Sequence, residues 1–259
     1  MYQGFNLTIN EVDSEKLKDN NFVYNDYIIY KENNLIVEKI IDFVNDDGTL
    51  SASKIAENFF PQIETDIFLS HSHNDKELAI NLASWLLENF ELKTFIDSCV
   101  WGYVDELLSN IDNKYCLNNN RRTYNYKLRN LSTSHVHMIL AVALSKIIDN
   151  TECVFFLNTP HSIKPKDTIT KTFSPWIYYE IVMTHLIRKK TKYKHRLSQT
   201  KIERLSEATQ KFLVNYDIDL THLIDINFSD LSKWQTNYKD NKDKHPLDVL
   251  YLQFADRKF

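Results

Sequence analysis

Glycine is the residue type that this chain of 259 residues most clearly lacks, since only Gly4, Gly48 and Gly102 occur. The Rossmann fingerprint and the Walker loop each need at least two glycines within a few residues, so that the backbone can approach a phosphate. The three glycines lie far apart in the chain. The sequence therefore excludes both of these phosphate-binding loops, and any nucleotide must be held in another way.

Cysteine is scarce as well. Cys99, Cys116 and Cys153 are odd in number and have no CxxC spacing. This usage disfavours a disulfide framework and a cysteine-based zinc site. We expect Cys116 and Cys153 to be small hydrophobic side chains in the core.

Long apolar runs and a strong net charge are also missing. The longest uninterrupted apolar run, 138–144, is far shorter than the ~18 residues of a membrane helix. The N-terminus lacks the basic and apolar segments of a signal peptide. Thirty-one basic and 35 acidic residues give a formal net charge of -4, so no overall field favours nucleic acid or an anionic membrane. We expect a cytoplasmic protein, with no membrane contact and no nucleic-acid partner.

The stretch 66–75 has the pattern of a buried strand that ends in polar residues and leads directly into an amphipathic helix. The residues from Asn74 to Glu77 have the spacing of an N-terminal capping box. In open α/β sheets ligands bind outside the carboxyl ends of the strands. The polar residues at this strand end are therefore binding candidates.

The remaining pattern predicts a doubly wound parallel α/β sheet, because strands and helices alternate along the chain. In chain order we predict a strand at 93–97, a loop at 98–103, a helix at 104–115, a polar surface insertion at 117–133, a helix at 134–149, a strand at 152–158, a helix from Ser174, and short strands at 211–217 and 222–226. We divide the chain into a helical N-terminal extension (1–62), an α/β domain (63–228) and a helical C-terminal extension (229–259).

One candidate site is metal-binding. His71, His73 and Asp75 have the HxHxD spacing that resembles the zinc site of metallo-β-lactamase-fold hydrolases. Lys76 stands where that family has a further histidine, and no third ligand motif follows. A zinc hydrolase is therefore one alternative, and polar residues that bond the backbone at a strand end are the other.

A second candidate is Glu180, in a helix that Ser174 can cap and that Pro175 can begin. Helical spacing places Glu180 on the same face as Trp176 and Met183, toward the sheet. No lysine or arginine lies within four positions of it. A partly buried carboxylate without a local ion-pair partner is a good functional candidate.

A third candidate is the loop after the second predicted strand. Asp97 ends that strand, and Trp101 and Tyr103 flank Gly102. Gly102 permits a positive φ, and Trp101 could stack on a planar ring. A tight turn with its aromatic side chains in the core would give the same pattern.

These segments together resemble the strand and helix motifs of the TIR domain, and of bacterial TIR proteins more than of animal adaptors. The resemblance covers about 64–190 and rests on 66–71, 95–97, 152–157 and 174–180. It implies a flavodoxin-like fold and cleavage of NAD at the nicotinamide glycosidic bond, with Glu180 as the catalytic residue. It also implies substrate contacts from the loops after the first two strands, which contain Ser70, His71, Ser72, Asp97, Trp101 and Tyr103.

The same resemblance suggests a role in anti-phage defence of the Thoeris type. NAD would be the substrate, with no cofactor. TIR contacts would mediate self-assembly, and a separate effector protein would sense the nucleotide product. The sequence leaves the product open between ADP-ribose, a cyclic nucleotide and a transfer product. A non-enzymatic interaction module that uses 98–103 as its contact surface is the main alternative.

Overall fold

A computed structural model of the chain describes residues 2–18, 43–45, 49–59, 65–96, 98, 101–162, 171–172, 174–187, 189–192 and 216–256. Its centre is a five-stranded sheet of β1 (Gln3–Thr8), β2 (Ile67–Ser70), β3 (Thr94–Ile96), β4 (Cys153–Asn158) and β7 (Ile224–Asn227). The strand order is β3-β2-β4-β1-β7, and all neighbouring pairs are parallel. The short strands β5 (Lys171–Thr172) and β6 (Tyr216–Asp217) form a separate antiparallel pair.

Eight helices accompany the strands in the described residues. They are α1 (Glu11–Lys18), α2 (Ala52–Phe59), α3 (Lys76–Phe90), α4 (Trp101–Tyr115), α5 (Tyr126–Asn150), α6 (Pro175–Leu186), α7 (Phe228–Lys239) and α8 (Pro246–Gln253). One turn of 3₁₀ helix, His73–Asp75, connects β2 to α3.

The sheet is covered on both faces, as expected for parallel strands that are almost wholly apolar. All four residues of β2 and the first five of β4 are buried. Ile67 and Leu69 belong to one core layer, together with Leu86 of α3 and Trp234 of α7. The residue between them, Phe68, belongs to the opposite layer, with residues of α4 and α5. This alternation confirms the predicted α/β class. Cys116 and Cys153 are buried free thiols, as predicted.

The strand order is compatible with a flavodoxin-like fold. In such sheets the order is 2-1-3-4-5, and β3-β2-β4 occupies its first three places. The next place is taken by β1, which comes first in the chain. The connection from β2 leads outward to β3, and the next parallel strand, β4, lies on the other side of β2. The chain therefore reverses direction between the carboxyl ends of β2 and β4.

The position of β1 corrects the prediction of a helical N-terminal extension over 1–62. Residues 3–8 form an interior strand between β4 and β7, and Phe5 and Leu7 have no exposed surface. Phe5, Leu7 and Ile9 alternate with polar residues, which is the period-2 pattern of a strand, and the prediction of a helical extension did not take it into account. The helices α1 and α2 also belong to this segment.

The predicted insertion at 117–133 is also corrected, because α5 begins at Tyr126. The side chain of Asn125 accepts hydrogen bonds from the backbone N–H groups of Lys127 and Leu128 and so caps the helix. The asparagine-rich composition predicted a loop, but one of those asparagines starts a helix of 25 residues. The loop itself is confined to the residues between α4 and α5.

Asp112 stabilises the start of α5 from the neighbouring helix. Its carboxylate is 3% exposed and accepts hydrogen bonds from Arg129 Nε at 2.8 Å and from Ser132 Oγ at 2.6 Å. A buried carboxylate needs such donors to offset the loss of hydration. The first two turns of α5 are therefore fixed to α4.

By length and composition α5 could cross a membrane, and 39% of its most apolar window is buried. Val136, Leu140 and Leu144 pack in the core layer that contains Phe68 and Leu107. This packing is compatible with a core helix, since core helices pass the same test of length and hydropathy.

The C-terminal helices complete the core. Trp234 of α7 has no exposed surface, stacks on Phe90 of α3 with ring centroids 3.9 Å apart, and donates its indole N–H to the carbonyl of Pro246 at 2.9 Å. Of the predicted short strands, 222–226 corresponds to β7, whereas 211–215 lies outside the described residues.

Candidate active site

The candidate site lies at the carboxyl ends of β2 and β4, where the chain direction reverses. Ser70 ends β2 and is in register with Phe156, and β4 ends two residues later at Asn158. Crevices of this kind are the common ligand sites of open α/β sheets. Three polar side chains at or shortly after the end of β2, those of Ser70, His71 and Asp75, bond to three different parts of the fold.

The first contact joins β2 to α6. Ser70 Oγ donates a hydrogen bond of 2.6 Å to Glu180 Oε2, and both residues are 1% exposed. Ser174 starts α6 by accepting from the N–H of Ile177, and Pro175 occupies the first turn. Helical periodicity then turns Glu180 toward the sheet, as predicted from its spacing to Trp176. The structure buries Glu180 more completely than that spacing indicated.

The second contact joins the end of β2 to Ser98, which follows β3. The ring of His71 is 3% exposed, with Nδ1 at 3.2 Å from the carbonyl of Leu69 and Nε2 at 2.7 Å from Ser98 Oγ. A carbonyl can only accept, so Nδ1 carries a proton, and in the neutral form of the ring Nε2 accepts from the Ser98 hydroxyl. His71 is therefore held between two neighbouring strand ends.

The third contact joins the turn after β2 to the loop after β4. Asp75 is 7% exposed, and its carboxylate accepts from Thr159 Oγ1 at 2.5 Å and lies 2.7 Å from His161 Nδ1. The sequence predicted a capping box from Asn74 to Glu77. That prediction was wrong, because among the described residues no side chain caps the N-terminus of α3.

These contacts separate the residues of the HxHxD motif. His71 bonds toward β3, Asp75 bonds toward β4, and His73 is exposed. Within the described ranges, no three histidine, cysteine, aspartate or glutamate side chains form a group that could hold a metal ion. The structure gives the zinc alternative no observation in its favour.

The other predicted site residues are placed less fully. Ser72 is partly buried in the turn between His71 and the 3₁₀ segment. Asp97 and the side chains of Trp101 and Tyr103 lie outside the described residues. The backbone of 101–103 forms the first turn of α4, so the helix begins earlier than predicted and Gly102 lies in a helix instead of a loop.

His161 and Thr159 are the site residues that the sequence did not reveal. They lie in a stretch that reads as a plain loop, and His161 is 86 residues from its partner Asp75. The only available signal was the polar cluster that directly follows the apolar strand β4.

No family model, curated protein or solved structure matches this chain.

Chemically, the site offers a buried carboxylate with a hydroxyl donor and a histidine with a carboxylate partner. The first can stabilise a nearby positive charge in surroundings of low dielectric constant. The second can accept or release a proton. Because Glu180 is 1% exposed, a ligand can contact its carboxylate only after the neighbouring residues rearrange.

Proposed function

We propose that the protein is a TIR-type enzyme that cleaves the nicotinamide–ribose bond of NAD, with Glu180 as the carboxylate that stabilises the ribosyl cation. The supporting observation is the 2.6 Å hydrogen bond from Ser70 to Glu180 at the reversal point of a parallel sheet. This is where a flavodoxin-like fold binds its ligand.

A single carboxylate suits this reaction. Most glycosidases need a second carboxyl group to protonate the leaving oxygen. Nicotinamide instead leaves a cationic pyridinium as a neutral base, so no acid is required. A fixed negative charge close to the ribose lowers the barrier by stabilising the cation as it forms.

The substrate would lie across the carboxyl edge of the sheet. Ser70, His71 and Ser72 supply polar groups at the end of β2, the edge at which α3 also begins. Asp97, Trp101 and Tyr103 complete the site at the end of β3 in this proposal. NAD is the substrate, and no separate cofactor takes part.

The biological setting we propose is Thoeris-type anti-phage defence in the cytoplasm. Self-assembly activates the enzyme, and a separate effector protein senses the ADP-ribose-derived product. The 1% exposure of Glu180 fits an enzyme that is idle until assembly opens its site.

Mass spectrometry of the products that purified protein forms from NAD tests the proposal, with and without lysate of phage-infected cells. Glu180→Gln should reduce nicotinamide release by roughly 10²-fold or more, because it removes the charge from the site. Glu152→Gln is the matched control, since Glu152 is 5% exposed and precedes β4 at the opposite end of the sheet. Its release of nicotinamide should equal that of the wild type. No release by the wild type in either condition would contradict the proposal.

A non-enzymatic interaction module is the second candidate, and a different surface favours it. Five of the eight exposed large hydrophobic side chains in the described residues lie between 115 and 131. They are Tyr115, Tyr124, Tyr126, Leu128 and Leu131, and we call them the apolar patch. Clustered exposed apolar residues mark contact surfaces. For a pure module, replacing Leu128 and Leu131 by serine should abolish phage resistance, and Glu180→Gln should preserve it.

A further inference from the structure

A second functional pair lies at the same edge of the sheet as Glu180. His161 Nδ1 lies 2.7 Å from Asp75 Oδ1, and Thr159 Oγ1 donates to the other carboxylate oxygen. We infer that His161, oriented by Asp75, is the base that accepts the proton of the hydroxyl nucleophile which captures the ribosyl cation. This inference rests on the proposed cleavage of NAD.

The hydrogen bonds determine which nitrogen of His161 can act. A carboxylate only accepts, so the N–H at His161 Nδ1 donates a hydrogen bond to Asp75, and in the neutral form of the ring the lone pair is on Nε2. No described residue forms a hydrogen bond with Nε2, and the side chain is 58% exposed. The basic nitrogen is therefore open to water or to a substrate hydroxyl.

Asp75 is built to orient a histidine rather than to form a surface ion pair. It is 7% exposed, and both of its oxygens are engaged, so the carboxylate cannot rotate freely. Thr159 is fixed in turn, since its N–H donates to Ser162 Oγ at 2.8 Å and the Ser162 hydroxyl lies 3.1 Å from the carbonyl of Leu157. Exposed ion pairs lack this support and are worth little.

His161 and Asp75 lie at the same edge of the sheet as Glu180, the carboxylate that stabilises the cation in the proposed reaction. Ser70, which holds Glu180, is in register with Phe156, and Thr159 follows three residues later in the chain. Both groups thus contact residues at or just after the carboxyl ends of β2 and β4. One can stabilise the ribosyl cation while the other prepares the attacking oxygen.

The step balances without any further reactant. The C1′–N bond breaks, and its electron pair stays on the pyridine nitrogen, which gives neutral nicotinamide. The oxygen of water or of an alcohol then bonds to C1′, and its proton passes to His161 Nε2 and on to solvent. Nicotinamide has no proton to lose when it attacks C1′ again, so the reverse reaction needs Glu180 but no base.

Isotope exchange separates these roles. The full chain is incubated with NAD and labelled nicotinamide, and mass spectrometry follows label in NAD and the formation of ADP-ribose products. His161→Gln should slow formation of the products by roughly 10²-fold or more and leave label exchange near the wild-type rate. Asp75→Asn should likewise lower the rate of product formation relative to the rate of label exchange. Exposed His135 on α5 provides the control His135→Gln, which should change neither rate.

A structural role of His161 gives different results. Misfolding would reduce exchange and product formation together, and that outcome would overturn the inference. Added imidazole should restore product formation in His161→Ala, because it replaces the base but not a structural contact; no rescue would also count against the inference. Loss of both reactions in Glu180→Gln supports the proposed function separately. Absence of both in the wild type would overturn the proposed function and this inference together.

Discussion

Ser70 and Glu180 are 110 residues apart in the chain, and their side chains meet in a 2.6 Å hydrogen bond at the carboxyl edge of the sheet. The serine ends a strand that is buried on both faces, and the glutamate lies on a helix that packs over that strand's end. The hydroxyl is therefore a fixed donor to a carboxylate that water barely reaches. This contact helps to fix the position of the Glu180 carboxylate.

Removing the Ser70 hydroxyl should affect stability and activity together. Ser70→Ala deprives a buried carboxylate of a donor, which should lower the free energy of unfolding by about 1–3 kcal/mol. Nicotinamide release should also fall, because Glu180 loses a hydrogen-bond donor that helps to position it. Urea denaturation and product analysis on the same preparation measure the two effects.

The control for this variant is Ser84→Ala. Ser84 is 2% exposed and donates to the carbonyl of Ile80 within α3, away from the candidate site. Alanine is the better helix former, so stability should change by less than ~0.5 kcal/mol, with no change in activity. If Ser70→Ala retained full activity, Ser70 would not position Glu180.

Leu7 should be a core residue despite its place near the N-terminus. Its side chain has no exposed surface in an interior strand, so Leu7→Ala should cost about 2–5 kcal/mol of the free energy of unfolding. Val12 on α1 is 71% exposed, and Val12→Ala should change stability by less than ~0.5 kcal/mol. Urea midpoints of the two variants compare their stabilities. Equal losses of stability would mean that β1 is not part of the folding unit.

Much of the sheet could be predicted from local patterns. The apolar runs of β2 and β4 are buried strands, and the polar residues after β2 lie at the carboxyl edge. Serine followed by proline correctly predicted the start of α6, and helical spacing then correctly turned Glu180 inward. These features succeed because capping, periodicity and strand burial each depend on neighbours in sequence.

The features that escaped prediction depend on partners far away in the chain. β1 is a short strand of six residues with a local period-2 pattern, and its place inside the sheet depends on pairing with β4 and β7. The role of Asp75 also depends on a distant partner, whereas the local sequence predicted a zinc motif and a capping box there. Its actual partner, His161, lies in a loop whose course the sequence does not specify.

The C-terminal helices should be essential for stability. Trp234 is fully buried against Phe90, and its indole N–H donates to Pro246. Trp234→Ala should cost about 3–5 kcal/mol. Leu252 on α8 is 63% exposed, so Leu252→Ala should cost less than ~0.5 kcal/mol. Thermal and urea unfolding measure both, and a mild effect at Trp234 would show that α7 is dispensable for the core.

His222 lies at the other end of α6 and should make stability depend on pH. Its Nε2 is 2.8 Å from Thr184 Oγ1, and its ring meets that of His185 edge-on, with centroids 4.9 Å apart. Burial and then the nearby His185 lower the pKa of His222 from its ordinary value of 6.5 to about 4. The folded state therefore resists protonation of this ring.

Because the pKa of His222 is lower in the folded state than in the unfolded state, its contribution to stability is complete above about pH 6.5 and is lost as the pH falls toward about 4. Urea midpoints of the wild type should fall over this interval. His222→Gln retains an amide that can bond Thr184 but cannot be protonated, so its midpoints should fall less steeply. His135→Gln, at an exposed site on α5, should keep the wild-type slope. Equal slopes in all three proteins would show that His222 titrates normally.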